Sequence, residues 1–195
     1  RSPLKPAPND QLVQPEEKAT VTLGQALKKR TEPLLTPQRE ELANRQSSYQ
    51  ASDLNLVATN QVNLAAYALV FINFLQETRT FPVDNAVRLA LAYDEDKNPS
   101  IIIKLIKMSN FFQQQALKLK GVAVPEGAKE AHLDLINSLQ DLSANIGDIA
   151  LIPKEPVLAF QSTQVYTAKV LALAVATRQL GEYFAKQNID LDQYQ

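Results

Sequence analysis

The chain has 195 residues, 45% of them hydrophobic and 21% charged, enough to bury the core of one domain with a tail attached. Its net charge of −1 lacks the basic bias that nucleic-acid binding requires, and its complete lack of cysteine excludes disulfides, thiolate metal sites and cysteine nucleophiles. The longest strongly apolar run, Leu64 to Leu75, has 12 residues, against ~20 needed to cross a bilayer.

The N-terminal segment holds four of the 11 prolines: Pro3, Pro6, Pro8 and Pro15. Each fixes φ and removes a donor, so residues 1–35 read as an extended linker with one short helix, Val21 to Thr31, stopped before Pro33. Lys28, Lys29 and Arg30 read as solvated charge. The chain starts "RSPLKPAPND", without methionine, and an upstream segment removed before this point is expected. The stiff segment suits a spacer between a membrane anchor and a folded head, and it equally suits a ragged terminus.

Residues 36–195 read as a single helical-bundle domain. Thr36-Pro37 is a helix start, threonine capping and proline in the first turn, and a weakly amphipathic helix follows to about Gln46. Gln46 to Ser52 is either a break or a continuation. Asp53 is the expected cap of a long helix whose stripe runs Val57, Gln61, Leu64, Ala68, Phe71, Leu75 and Thr78. Val62, Ala65, Leu69 and Ile72 widen the stripe, so burial over much of the circumference is expected. "TFPVD" ends it, and Asp84 is expected to cap a shorter helix through Tyr93.

Asn98-Pro99 restarts a helix with the stripe Ile101, Leu105, Met108, Phe112, Gln115 and Leu119, closed by Gly121 as a C-cap glycine. Pro125 opens the next, with the stripe Ala128, His132, Leu135, Leu139, Leu142, Ile146 and Ile149. After the proline break "IPKEP", the last helix runs from about Pro156 to Asn188, with the stripe Ala159, Thr163, Tyr166, Val170, Leu173, Thr177, Leu180 and Phe184. The alanines of "AKVLALAVA", Ala168 to Ala176, allow close helix approach. No segment alternates for long with a strand period. Long helices joined by short connections predict an all-α, up-and-down bundle of about four long antiparallel helices with one or two short extra ones.

His132 is the only histidine. It falls on an apolar stripe, so it reads as a hydrogen-bonded core residue, with Tyr166 or Thr163 of the last helix as the expected hydroxyl partner and Asn63 as a third candidate. A bundle di-iron site needs Glu-x-x-His pairs; Lys129 stands three before His132 and no second histidine exists, so that class is excluded. Zinc held by one histidine and carboxylates is unusual. Serine, histidine and aspartate all occur, but there is no nucleophile-elbow pattern, and five glycines leave little for an oxyanion loop. P-loop, G-x-G-x-x-G and H-E-x-x-H patterns are absent.

In "DEDKNPS", Asp94, Asp96 and Asn98 alternate, with Ser100, as in the first half of a calcium loop. Pro99 stands at the glycine position and Leu105 at the chelating glutamate, so a capped acidic turn is the better reading and weak calcium binding the lesser one. Glu16-Glu17 and Glu40-Glu41 read as solvated pairs.

The order "SDLNLVATNQVNLAAYALVF", "GVAVPEGAKEAHLDLINSLQDL" and "VLAFQSTQVYTAKVLALAVATRQLGEYFAKQNI" resembles uncharacterised exported helical-bundle proteins of Patescibacteria (candidate-phylum) bacteria. The resemblance spans about residues 49–189. It rests on a V-P-x(5–6)-H-L-x-x-x-N block, here Val124, Pro125, His132, Leu133 and Asn137, and on Tyr166 near the start of the final helix. The family usually reads D-P before the last helix, whereas this chain reads Lys154-Glu155-Pro156. The resemblance implies an upstream membrane segment and an extracytoplasmic helical head, and implies no activity. The expectation is a non-enzymatic structural or protein-interaction module at the cell surface, without cofactor, with protein partners and without nucleic acid, touching the membrane only through the upstream segment. The second reading is a helical sensor or small-ligand-binding domain with a pocket near His132.

Overall fold

The computed structural model describes residues 49–81 and 84–194. The helices expected over Val21 to Thr31 and Thr36 to Gln46 lie outside the described residues. Within them, α1 (Gln61–Thr80), α2 (Ala86–Asp96), α3 (Pro99–Lys120), α4 (Lys129–Ile149) and α5 (Pro156–Lys186) form an all-α helical bundle, four long helices and one short. Two three-residue strands, β1 (Asn55–Val57) and β2 (Ala123–Pro125), pair in parallel, with Leu56 opposite Val124 and Val57 opposite Pro125.

Side-chain caps set most helix starts. The Asn60 side-chain oxygen accepts from the Asn63 N–H at 2.9 Å and opens α1. The expected cap at Asp53 is therefore corrected: its carboxylate accepts from the Gln50 N–H and closes a short 3₁₀ turn, Ala51–Asp53, while Val57 belongs to β1. The backbone groups of residues 55–57 find partners in a strand far along the chain, and local periodicity carries no trace of that. At α2 the cap is Asn85, not Asp84, whose carboxylate pairs with Arg88. At α3, Asn98 caps the Ser100 N–H with Pro99 in the first turn, as the sequence predicts.

The α3 and α4 stripes are correct at every position: Ile101, Leu105, Met108, Phe112, Gln115 and Leu119, and Ala128 through Ile149, are all buried. Their boundaries needed adjustment. Gly121 ends α3 with φ −79°, a right-handed conformation, so no left-handed glycine turn operates there. Pro125 belongs to β2, a 3₁₀ turn over Glu126–Ala128 follows, and α4 proper starts at Lys129. The α5 stripe is half right: Ala159, Tyr166, Leu180 and Phe184 are buried, Thr163, Leu173 and Thr177 half-buried, and Val170 exposed. In α1, Val62 and Leu69 point outward, and Tyr67 and Phe74 enter the core instead.

The helix α4 lies between α3 and α5 and packs along both. The α3–α4 contact is close because small residues meet there. The Ser109 hydroxyl donates to the Ser143 carbonyl and the Ser143 hydroxyl to the Ser109 carbonyl, both at 2.8 Å. A Cβ on Gly147, one turn further, would stand 3.3 Å from Ser109 Oγ. Each hydroxyl is satisfied across the interface, so no polar group is stranded by the approach.

The helix α1 closes the core with aromatic rings. Tyr67 and Phe71 each lie 5.5 Å, centroid to centroid, from Phe184 of α5, and Phe81 stacks on Phe111 of α3 at 3.9 Å. Beside that stack, the Glu77 carboxylate accepts from Lys118 Nζ at 2.6 Å and Gln115 Nε2 at 2.7 Å. These two bonds, the lysine's first, hold the Glu77 carboxyl below the usual carboxylate range. As an exposed ion pair it adds little to stability.

Candidate functional site

The His132 side chain is completely enclosed. The Tyr67 hydroxyl lies 2.6 Å from its Nδ1. Burial raises the Tyr67 pKa, so its phenol stays protonated, and the hydroxyl and Nδ1 share one proton between them in a direction set by the imidazole tautomer. Nε2 makes no hydrogen bond of normal geometry. Burial pushes the His132 pKa down to about 4; the main-chain carbonyl of Leu119, at the end of α3, opposes that shift in part. At neutral pH the imidazole is uncharged, enclosed and bonded to Tyr67.

The expected partners of His132 are thereby corrected. The Thr163 hydroxyl donates instead to the Phe160 carbonyl one turn back, and Tyr166 is buried in the apolar core. Asn63 donates to the Ala58 carbonyl beside the α1 cap. The actual partner, Tyr67, was visible in the sequence as an aromatic one position off the α1 stripe. It stands three residues after Leu64 and four before Phe71, so it shares their buried face.

The Val124-Pro125…His132…Asn137 block has a physical rationale in this arrangement. Val124 and Pro125 pair with β1, His132 holds Tyr67, and Asn137 holds Tyr49. The Asn137 amide accepts from the Tyr49 N–H at 3.2 Å and donates to the Tyr49 carbonyl at 3.1 Å, while the Tyr49 ring lies under the Lys120 ammonium at 4.7 Å. All three contacts fasten residues 49–67 to the start of α4. A fourth point lies between them: the Gly127 N–H donates to Thr59 Oγ1 at 3.0 Å, and a Cβ on Gly127 would come within 3.0 Å of the Tyr183 hydroxyl. Replacing Asn137 with Ala removes both bonds to Tyr49. We expect hydrogen exchange at the Tyr49 amide to rise at least tenfold, with less than about 2 kcal/mol lost from global unfolding.

The accessible chemistry lies on α5. From Thr167 to Val175 only Lys169 and Leu173 are even half-buried; the rest of this apolar stretch faces outward, with Leu171 62% exposed and Val170 39%. The burial of α5 is concentrated at its two ends, around Ala159–Tyr166 and Ala176–Phe184. Beside the exposed stretch runs a groove of about 290 Å³ lined by Asp134, Asn137, Ser138 and Asp141 of α4 and by Ala172, Val175, Ala176 and Gln179 of α5. Lys169 bridges the two helices to Asp141 at 2.9 Å. Of the alanines predicted to form a close-packing surface, Ala168, Ala172 and Ala174 are exposed and only Ala176 is buried.

The acidic turn is placed differently from a chelating loop. Asp94 binds the Lys97 ammonium, Asp96 is the last residue of α2, and the Asn98 oxygen caps α3. Among the described residues no three His, Asp or Glu side chains converge on a common point. No helix among them is long and apolar enough to cross a membrane. No family model matches the chain, and neither a curated protein nor a solved structure matches it.

Proposed function

We propose that this chain is a non-enzymatic structural or protein-interaction module that works at the cell surface, tethered to the membrane through its N-terminal side. The observation that carries the interaction reading is the outward-facing apolar middle of α5, Val170, Leu171, Ala174 and Val175, running beside the α4–α5 groove. Contiguous apolar surface of this kind costs solubility and is kept where a partner covers it. The tether and the extracytoplasmic location rest on the proline-rich start and on the resemblance to exported helical proteins. A small-ligand role centred on His132 has less to stand on, because that side chain offers no surface to a ligand.

A photo-crosslinking residue placed at Leu171 in the cells that make the protein should give a discrete adduct with another polypeptide. The same residue at Gln114, exposed on α3, should give none. Equal labelling at both positions would remove the interaction reading. Protease added outside intact cells should degrade the domain while it remains in the membrane fraction; full protection would remove the surface location.

A further inference from the structure

We infer that the outward face of α5 is a homodimer interface, in which two copies of this chain pack their α5 helices antiparallel about a two-fold axis at the level of Leu173. The inference rests on the interaction reading above and names its partner, a second copy of the chain.

The first argument is spacing. The exposed face of α5 carries Gln164, Ala168, Leu171, Val175, Arg178 and Glu182. Their intervals are four, three, four, three and four. That rhythm keeps all six on one stripe, opposite the buried Tyr166 and Leu180. It also reads the same in both directions about Leu173. A two-fold axis there sets Leu171 against the second copy's Val175, Ala168 against its Arg178, and Gln164 against its Glu182. Apolar groups meet in the middle and polar groups at the ends, over about 27 Å of helix. The exposed Ala168, Ala172 and Ala174 let the two backbones approach closely. An isologous interface needs a surface that complements itself in this way.

The second argument is charge. The Arg178 side chain is 72% exposed, and its one ion pair among the described residues is a 3.4 Å contact with Glu182 one turn on. Asp141 stands beside α5 where it accepts from Lys169 at 2.9 Å, and it lines the groove next to Ala172. In the antiparallel pair the second copy's Arg178 comes level with Ala168, one residue from Lys169. Its guanidinium can then cross the groove edge to Asp141, whose carboxylate has lone pairs for a second donor. The two-fold axis makes that contact twice. A parallel pair would instead set Arg178 against Arg178 and Glu182 against Glu182, so charge selects the antiparallel form.

Sedimentation of the full chain over a concentration series should show a monomer–dimer equilibrium. Leu171→Glu should weaken it by roughly thirtyfold without moving the melting temperature of the dilute monomer. Ile103→Glu, on the exposed face of α3, should leave it within about twofold. Arg178→Glu should weaken it about tenfold. The absence of cysteine lets single cysteines report the orientation. Under mild oxidation, a mixture of Gln164→Cys and Glu182→Cys chains should link to each other about tenfold faster than either links to itself. A chain monomeric at every concentration, a dimer indifferent to Leu171→Glu, or faster linkage of either cysteine chain with itself would each overturn the dimer. The crosslinker at Leu171 separates this from the reading it rests on. An adduct with the mass of two chains supports both. An adduct of another mass, from a chain that sediments as a monomer, overturns the dimer and leaves the interaction reading. A dimer in solution with no adduct in cells overturns the interaction reading and leaves the dimer standing.

Discussion

Lowering the pH from 7 to 4 is expected to remove about 3 kcal/mol of unfolding free energy through His132 alone. In the fold its pKa lies at about 4, against 6.5 in an open chain. The unfolded state therefore binds a proton more readily throughout that interval. The stabilisation is complete above pH 6.5, shrinks as pH falls through the interval, and is gone below about 4, where both states are protonated. At ~1.4 kcal/mol per tenfold difference in proton affinity, the total comes to roughly 3 kcal/mol. The cause is structural: the side chain is fully enclosed, and an imidazolium would have to donate from both ring nitrogens inside the core, with Tyr67 the one hydrogen-bond partner of normal geometry among the described residues. Urea unfolding at a series of pH values, followed by helix ellipticity, measures it. His132→Leu should lose most of the dependence between pH 6.5 and 4. At neutral pH it should cost ~1–3 kcal/mol for the stranded Tyr67 hydroxyl, a cost that adding Tyr67→Phe should largely recover. If wild type and His132→Leu weakened in parallel over that interval, the assignment would be lost.

Phe184→Ala should be the most damaging single truncation in the described core, about 4 kcal/mol. The side chain is fully buried, and its ring meets three others: Tyr67 and Phe71 of α1 at 5.5 Å, and Tyr183 at 5.8 Å. Removing it loses the transfer energy of the ring and leaves a cavity beside Tyr67 and Phe71. For a domain of this size the melting temperature should drop by roughly 8–16 °C. Val62→Ala, on the same α1 but facing outward, should stay within about 0.5 kcal/mol of wild type. A melting temperature for Phe184→Ala close to that of Val62→Ala would show that α1 does not seat against α5 as described.

The helices and their inward faces were legible because each is a local property. The positions of Ile101 to Leu119 and of Ala128 to Ile149 repeat at intervals of three and four, and a helix that puts one of them inside puts them all inside. Asn98-Pro99 caps a helix wherever the rest of the chain lies. Residues 55–57 were misread for the opposite reason. Their backbone partners are residues 123–125, and no window of sequence contains both strands. The α5 stripe failed in its middle because periodicity reports which residues share a face and not whether another helix arrives to cover it.

By itself, the sequence determined an all-α bundle, an inward-facing His132, and the exclusion of cysteine and di-iron chemistry, since these follow from residue types and spacing. Only the tertiary structure decided that Tyr67 holds His132, that Asn137 clasps Tyr49, and that Leu171 faces outward. Each of these depends on which segments of chain meet across long separations, and that is set by the packing of whole faces and not by the pattern along any one of them.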